Sequence, residues 1–328
     1  MKFGQPTRRA FITLLSGAAI WPSAARAQRS TRPVVGLLSG VSRTGISLTP
    51  LYQGLNEMGF VEGQNVDIEY RFADGYYDRL AALAADLVDK RVAVIATIGE
   101  NAAKAAQIAS DGRIPVVFSM GDDPVSLGLV TSISRPSGNI TGSISIGHTL
   151  GPKRVELLRE LLPTANIFAL LTNPSQPREF ERRDVAEKVR ALGLQLRYLG
   201  ASSVTDFDRV FSTMISDRID GLIIANETFF FSEIKTLATF ASRFKVPTIG
   251  PLRAFAEAGG LTSYGANIPE VFRQAGVYVG RVLRGIKPAD LPIMQPSRFE
   301  LVINAKAAKA LGLTVPVTLQ VAADEVIE

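Results

Sequence analysis

The chain has 328 residues, of which 36 are basic and 31 acidic, for a net charge of +5. It contains no cysteine, which excludes disulfides, thiolate metal sites and cysteine nucleophiles. Apolar residues make up 46% of the chain and charged residues 20%, a composition typical of a globular protein. Lys2, Arg8, Arg9 and Arg26 lie before residue 28 with no acid among them, which leaves 32 basic against 31 acidic residues beyond it. This near-neutral balance gives no support for nucleic-acid or membrane-surface binding.

The first 28 residues have the order of a bacterial export signal. Thr7-Arg8-Arg9-Ala10-Phe11-Ile12 is a twin-arginine pattern, an apolar run covers 10–21, and Ala25-Arg26-Ala27 precedes Gln28 as a small-x-small cleavage site. The apolar run is shorter than the roughly 20 residues that cross a bilayer, although an N-terminal anchor helix is the alternative. We therefore predict that residues 1–27 are removed. The remaining chain is expected to be soluble in the periplasm and not a lipoprotein.

Strand and helix patterns alternate along the first half of the chain. Short β-branched runs predict strands at 34–38, 66–70, 92–98 and 114–118, and helical patterns between them cover 49–59, 77–90 and 101–109. This order predicts a parallel sheet with helices on both faces.

The second half repeats the pattern, with strands predicted at 167–171, 195–199, 221–225 and 246–249, and helices at 179–191 and 206–215. Residues 91–100 align without gaps on 218–227, which favours two copies of one α/β unit over a chance likeness of buried strands. Extended segments at 261–264 and 299–303 follow, each with a helix after it, at 270–283 and 305–311.

The halves meet at 135–143, a segment rich in Pro, Gly and Ser that marks a domain boundary. Chains of this length usually divide into two cores. The predicted fold class is α/β, with two Rossmann-like lobes whose parallel sheets are joined by a three-crossing hinge. Lobe 1 is predicted at 32–145 plus 266–295, and lobe 2 at 146–262 plus 296–328.

Residues for catalysis are scarce. His148 is the only histidine, and the chain has no Gly-x-Ser-x-Gly elbow, phosphate loop or Gly-x-Gly-x-x-Gly pattern after its first strand. Asp122 and Asp123 could form a carboxylate pair, but Pro124 follows them, so we favour a helix N-terminus that they cap. We therefore expect no catalytic residue, metal or cofactor, and place His148 at the hinge or the rim of a pocket.

A binding cleft is the better interpretation, because ligands of open parallel sheets lie at the carboxyl ends of the strands. Either Glu100 or Glu227, at equivalent positions of the two copies, could pair a ligand ammonium group, or each could only complement the helix that follows it. One ring of Phe229-Phe230-Phe231 could stack on an aromatic ligand, or all could pack in the core. The predicted ligand-binding residues are Ser39, Gly40, Ser42, Thr97, Ile98, Gly99, Ser119, Met120, Asn173, Asn226, Glu227, Gly250 and Tyr264.

Several stretches across residues 32–328 resemble the periplasmic substrate-binding proteins of ABC transporters, in the group with tryptophan- and other aromatic amino-acid-binding members. The resemblance implies a type I periplasmic-binding fold and delivery of a small solute to an ABC permease in the inner membrane. The stretches are Gly54-Leu55-Asn56-Glu57-Met58-Gly59-Phe60-Val61-Glu62-Gly63-Gln64-Asn65, Tyr77-Asp78-Arg79-Leu80, Gly121-Asp122-Asp123-Pro124-Val125, Arg135-Pro136-Ser137-Gly138-Asn139-Ile140-Thr141-Gly142, Glu257-Ala258-Gly259-Gly260-Leu261, Ser263-Tyr264-Gly265 and Phe299-Glu300-Leu301-Val302-Ile303-Asn304.

We therefore predict an extracytoplasmic solute receptor that binds a small molecule, an amino acid or an aromatic or carboxylate compound, between its lobes. A ligand-sensing module that presents its closed form to a membrane receptor is the alternative, because it needs the same cleft. A periplasmic hydrolase that uses His148 is a third hypothesis. The receptor is expected to be a monomer, with the small ligand and the permease as its partners and with no nucleic acid.

Overall fold

The computed structural model describes residue 1 and residues 32–136, 138–176, 178–296 and 298–328. The predicted signal at 1–27, Met1 apart, lies outside the described residues, so its prediction stays untested. In the part of the chain that is described, no helix has both the length and the apolar character needed to span a membrane. Residues 33–328 form one compact unit.

The first sheet is fully parallel and has five strands in the order β2-β1-β3-β4-β5. The central strands are β-branched and buried along their whole length, as expected where helices cover both faces. The strands are β1 (Val34–Ser39), β2 (Asp67–Phe72), β3 (Val94–Ile98), β4 (Val116–Met120) and β5 (Ile140–Ile144), and the helices between them are α1 (Thr49–Glu57), α2 (Leu80–Asp89) and α3 (Glu100–Ser110).

The second sheet has seven strands in the order β12-β11-β10-β9-β8-β6-β7, and only β10 and β11 pair antiparallel. Its strands are β6 (Ile167–Thr172), β7 (Gln195–Gly200), β8 (Gly221–Ile224), β9 (Thr248–Gly250), β10 (Thr262–Ala266), β11 (Phe299–Asn304) and β12 (Glu325–Ile327). The helices that follow in chain order are α4 (Gly151–Leu161), α5 (Glu179–Ala191), α6 (Phe207–Ser216), α7 (Thr228–Ser232), α8 (Ile234–Arg243), α9 (Arg253–Glu257), α10 (Ile268–Leu283), α11 (Ala305–Ala310) and α12 (Val317–Ala322).

The two sheets repeat one topology. Strands β7-β6-β8-β9-β10 stand in the same spatial order as β2-β1-β3-β4-β5. The local alignment holds in the backbone as well, because Arg91 and Arg218 precede equivalent strands with φ of 53° and 52°. This left-handed conformation is uncommon outside glycine, so its recurrence at aligned positions favours a duplicated unit over a chance likeness.

The chain passes between the sheets three times. It leaves the first sheet after β5, returns after β10 so that α10 packs on α1, and enters the second sheet again at β11. Before that last passage, Met294 bridges to Ser143 beside β5. The fold class is confirmed: two Rossmann-like lobes are joined by a three-crossing hinge. The predicted residue limits of the lobes stay a prediction.

Two local predictions were wrong. The boundary segment 135–143 includes the first residues of β5, because Ile140 and Thr141 pair with Val116 and Val117. Pro124 does not begin a helix, since 124–128 is a turn. Asp123 still accepts the Val125 N–H at 2.9 Å, as a capping residue does, whereas Asp122 turns toward the second lobe. Helices α4 and α8 and the short helices α7, α9 and α12 were not predicted.

Candidate functional site

A cleft of about 790 Å³ lies between the two sheets, a volume that suits a small organic ligand. The strand ends β3, β4 and β8 open into it, as do the N-terminus of α10 and the loop after β1. Its lining is mostly apolar. The lining residues are Thr44, Ile46, Ser47, Pro50, Ile98, Gly99, Glu100, Ser119, Met120, Gly121, Ser145, Arg178, Asn226, Thr228, Phe231, Ser232, Ile234, Lys235, Leu252, Arg253, Ala254, Glu257, Ala266, Asn267, Ile268, Pro269, Val271, Phe272 and Glu300.

The structure brings five of the predicted ligand-binding residues together in this lining, namely Ile98, Gly99, Ser119, Met120 and Asn226. All five follow or end the strands β3, β4 and β8, which are central in their sheets. A sixth, Gly40, lines a small hollow beside the cleft together with Tyr77 and Gly99.

The other predicted residues do not line the cleft. Ser39, Thr97, Asn173 and Gly250 are buried, and the Ser39 hydroxyl accepts the Val41 N–H while Asn173 Oδ1 accepts the Ser175 N–H at 3.0 Å. The hydroxyl oxygens of Ser42 and Thr44 lie 3.2 Å apart, and of these two residues only Thr44 lines the cleft. A position at a strand end therefore does not by itself bring a side chain to the cleft.

Tyr264, predicted on a hinge strand, also lies away from the lining. Its ring packs on Phe299 with centroids 6.3 Å apart, and its carbonyl oxygen accepts from Arg154 Nε at 2.9 Å. Of the triple Phe, Phe229 and Phe230 are buried in the core of the second lobe, and Phe231 lines the cleft. The three rings therefore do not all pack in the core, and stacking of Phe231 on an aromatic ligand stays a prediction. The side chain of His148 lies outside what the structure describes.

Arg178, which the sequence analysis missed, ties the lobes together. It precedes α5 in the second lobe, and its Nη2 lies 3.1 Å from Glu100 Oε1 at the start of α3 in the first. Its Nη1 bonds to Asp122, also in the first lobe. No signal in a single sequence marks this pairing, because the partners are distant along the chain.

Glu227 is the N-cap of α7 and accepts the Phe229 N–H at 2.9 Å. Its second oxygen accepts the Tyr77 hydroxyl of the first lobe at 2.8 Å. Glu100 is the first residue of α3, where its charge complements the helix dipole, and it accepts the Gly121 N–H at 2.9 Å. Both carboxylates thus stabilise the N-terminus of the helix that follows them, which was one of the two alternatives for these residues. Both also contact the opposite lobe.

The two carboxyl groups titrate in opposite directions. Burial raises the pKa of Glu227, and the attraction of Arg178 only partly offsets it. Burial acts in the same sense on Glu100, but the Arg178 guanidinium and the N–H groups of Glu100 and Gly121 outweigh it, so its pKa lies below the ordinary value. Burial beside Glu227 raises the pKa of Tyr77, which therefore keeps its proton and donates it.

Three buried polar atoms of lining residues have no hydrogen-bond partner among the described residues. They are the Ser145 hydroxyl, Asn226 Nδ2 and Arg178 Nε, and Ser145 and Asn226 are each 2% exposed. The Asn226 amide lies against Gly121 and Gly147: a Cβ on Gly121 would stand 2.4 Å from Nδ2. A buried polar group without a partner costs about 1–3 kcal/mol, so these groups require a ligand or water.

A buried ion pair supports this wall of the cleft from behind. Arg154 and Glu181 are 0% and 1% exposed in their side chains, with Nη1 and Oε1 3.3 Å apart. Arg154 also donates to the carbonyl oxygens of Gly147 and Tyr264, one in the first crossing and one in β10. Glu181 accepts the N–H of Asn226 with both oxygens. The pair therefore fixes the backbone that presents Asn226.

Among the described residues, no group of three or more His, Asp or Glu side chains is placed to hold a metal ion. The arrangement has paired carboxylates and a guanidinium. It offers hydrogen-bonding groups at the strand ends, a mostly apolar lining, and ion pairs between the lobes.

Comparison with known proteins agrees with this geometry. A Vibrio cholerae protein described as a conserved domain protein has a crystal structure that superposes with a TM-score of 0.78, at 25% identity, over 90% of this chain and 99% of that one. The ABC domain from Streptococcus pneumoniae in complex with L-Trp also gives 0.78, at 24% identity, over 90% of this chain and 100% of that one.

Sequence comparison gives a relative as well. The tyrosine-binding protein of Clostridioides difficile is 25% identical over 265 residues, 80% of this chain and 75% of that protein. The sequence model described as ABC transporter substrate binding protein matches residues 35–327. Substrate-binding proteins of this family act outside the cytoplasm, bind a small molecule for a transporter permease, and are not enzymes. Because the match covers nearly the whole chain, this protein belongs to the ABC transporter substrate-binding protein family.

Proposed function

We propose that this chain binds an amino acid or an aromatic carboxylate in the cleft between its lobes and delivers it to an ABC permease, without catalysing a reaction. The observation that carries the proposal is the cleft itself, about 790 Å³ of mostly apolar lining with a few polar groups at the strand ends. A site of this kind buries most of a small ligand and orients it through a few hydrogen bonds.

The likeness to the tyrosine-binding protein of Clostridioides difficile supports a ligand of this class. The rings of Phe231 and Phe272 in the lining suit an aromatic or branched side chain. Sugars, by contrast, need hydrogen-bonding groups on every side, whereas most of the surface of this lining is apolar.

Lobe closure is the second part of the proposal. We take the first lobe as 32–145 plus 266–295 and the second as 146–262 plus 296–328. We also propose that a twin-arginine signal exports the chain and is cleaved off after residue 27. The contacts from Arg178 to Glu100 and from Tyr77 to Glu227 cross the cleft and need the lobes together. A ligand that contacts both lobes favours the closed form by its extra contacts there.

A thermal-shift screen of the purified protein tests the proposal. The panel holds aromatic and branched amino acids, aromatic carboxylates, sugars and nucleosides, and the protein is first unfolded and refolded to release any bound solute. An amino acid or aromatic carboxylate at about a hundred times its Kd should add about 2.7 kcal/mol of stability. Stabilisation by sugars or nucleosides alone would overturn the ligand class, and a flat screen would favour a protein partner.

A further inference from the structure

The polar end of the cleft, formed by Ser145, Asn226 and Arg178, has donors without acceptors. Asn226 Nδ2 and Arg178 Nε are N–H groups, and the Ser145 hydroxyl also carries a proton. All three residues line the cleft, and none of these three atoms has a hydrogen-bond partner in the described part of the chain. A ligand group that meets them must accept several hydrogen bonds at once.

These groups converge on one place. The Ser145 N–H bonds to the Met120 carbonyl at 2.9 Å, which sets Ser145 beside Gly121 across the ends of β4 and β5. The Asn226 amide reaches the same spot from the second lobe, because it lies against Gly121 on one side and Gly147 on the other. Ser145 lies close to both glycines, because Gly121 directly follows the neighbouring strand β4 and Gly147 is two residues further along the chain.

We infer that Ser145 and Asn226 bind the carboxylate of a zwitterionic α-amino acid, with its side chain toward the apolar lining. A carboxylate accepts through two oxygens and so can serve the Ser145 and Asn226 donors together. The inference rests on the proposed function and narrows its ligand class, because it selects amino acids over simple carboxylates.

The charges around the polar end require the ammonium group as well. Glu100 and Asp122 share the Arg178 guanidinium, and Glu227 stands nearby with only uncharged donors in hydrogen-bond contact. A simple carboxylate anion would enter this acid-rich region without compensation. An amino acid brings a positive charge with its carboxylate and leaves the net charge unchanged.

Lys235 is the competing anchor for a ligand carboxylate. It lines the cleft but is exposed, and no described acidic group pairs with it. A solvated ammonium group contributes little to an ion pair, whereas a buried hydroxyl without a partner gains a full hydrogen bond. The buried site is therefore the stronger one, and a substitution of Lys235 tests the alternative.

Isothermal titration with two sets of analogues tests the inference. One set is L-tyrosine, tyramine and 3-(4-hydroxyphenyl)propanoate, and the other is L-leucine, 3-methylbutylamine and 4-methylpentanoate. In at least one set the amino acid should bind, and loss of either charged group should weaken binding about tenfold or more. Ser145→Ala should weaken the amino acid about tenfold but leave the amine unchanged, Ser145→Thr should keep most of the affinity, and Lys235→Met should weaken binding less than Ser145→Ala does. Lys104→Met, at an exposed position outside the cleft lining, is the control and should have no effect.

Three results would overturn the inference in distinguishable ways. If the carboxylate analogue binds as tightly as the amino acid, the zwitterion requirement fails while the proposed function stands. If Lys235→Met weakens binding and Ser145→Ala does not, the carboxylate lies at the mouth of the cleft. If no compound of either set binds and the wider screen is also flat, the proposed function fails and the inference with it.

Discussion

The Tyr77 hydroxyl donates a 2.8 Å hydrogen bond to Glu227, although the two residues belong to opposite lobes. Tyr77 precedes α2 in the first lobe, and Glu227 caps α7 in the second, so the hydrogen bond links the two lobes. It can form only while the lobes touch. Its free energy therefore adds to closure and not to the stability of either lobe.

Tyr77→Phe removes this hydrogen bond and leaves the ring in place. A net hydrogen bond contributes about 1 kcal/mol, so we expect about a fivefold higher Kd for the amino acid that stabilises the protein most. Titration calorimetry measures it, with Tyr76→Phe as the control, because Tyr76 is 65% exposed. Equal effects of the two substitutions would show that the bond has no role in closure.

Arg178→Met should open the cleft. Removal of one partner from a largely buried ion pair costs about 3 kcal/mol, because Glu100 and Asp122 are left in the closed interface without the guanidinium. The lobes can avoid this cost by separating. We expect a larger radius of gyration in small-angle X-ray scattering and about a hundredfold weaker ligand binding.

The double variant Arg178→Met/Glu100→Gln separates charge from packing. It removes the uncompensated carboxylate, so it should regain part of the affinity that Arg178→Met loses. Arg183→Met is the surface control, since that side chain is 60% exposed and, among the described residues, contacts its neighbours Asp184 and Phe180 on the same helix. A double variant as weak as the single one would mean that the guanidinium acts through packing alone.

Glu227 should make stability depend on pH. Its pKa is raised above the ordinary 4.5 by burial, so the folded protein holds this proton more tightly than the unfolded chain. The resulting stability is fully present below pH 4.5 and is lost as pH rises through the raised value. Tyr77, Arg178 and Glu100 are the titratable groups that face it.

Glu227→Gln keeps the acceptor oxygen and removes the titration. The free energy of unfolding of this variant, relative to the wild type, should therefore increase as the pH rises from the ordinary carboxyl range to pH 8. Urea unfolding at a series of pH values measures it. The pKa of Glu181 is also raised by burial, but its pH-dependent contribution to stability is the same in both proteins and cancels in the difference. A difference that does not change with pH would contradict the prediction.

Much of the fold could be predicted, because hydrophobic periodicity is a local signal. The helix predicted at 179–191 coincides with α5, and the alternation at 66–70 marks β2 to within two residues. Strand β5 was missed because Pro136, Ser137 and Gly138 just before it suggested a linker. Its burial depends on neighbours far along the chain, such as Val116, that no local pattern contains.

The site could be predicted only in part. The rule that ligands lie at strand ends led to Ser119 and Asn226, but it does not say which side chains at a strand end reach the cleft. Thr97 and Asn173 were therefore predicted along with them. Ser145 escaped notice because its strand was missed. Arg154 and Arg178 read as ordinary surface charges until the fold brings them to buried carboxylates, and that pairing is tertiary information.

Arg154→Met should destabilise the whole fold, in contrast to Arg178→Met. It leaves Glu181 buried without its partner and removes the donors to Gly147 and Tyr264, which costs about 3–5 kcal/mol. Denaturant unfolding measures the loss. Lys153→Met, next in sequence and 51% exposed, should change stability by no more than about 0.5 kcal/mol. Equal stabilities for the two variants would refute a structural role for the pair.

Gly276→Ala tests the packing that holds α10 on the first lobe. A Cβ there would stand 2.0 Å from the Leu51 carbonyl oxygen of α1, and Gly54 makes a similarly close approach from the other helix. Because the obstruction is backbone, the helices must separate, at a cost of about 3 kcal/mol. Gln274→Ala, two residues earlier on the same helix, is the control in thermal and urea unfolding. The second passage of the chain, after β10, ends where α10 begins, so a separated helix should also loosen the hinge. Ligand affinity should therefore fall together with stability, and a stable Gly276→Ala variant with full affinity would rule out this close contact.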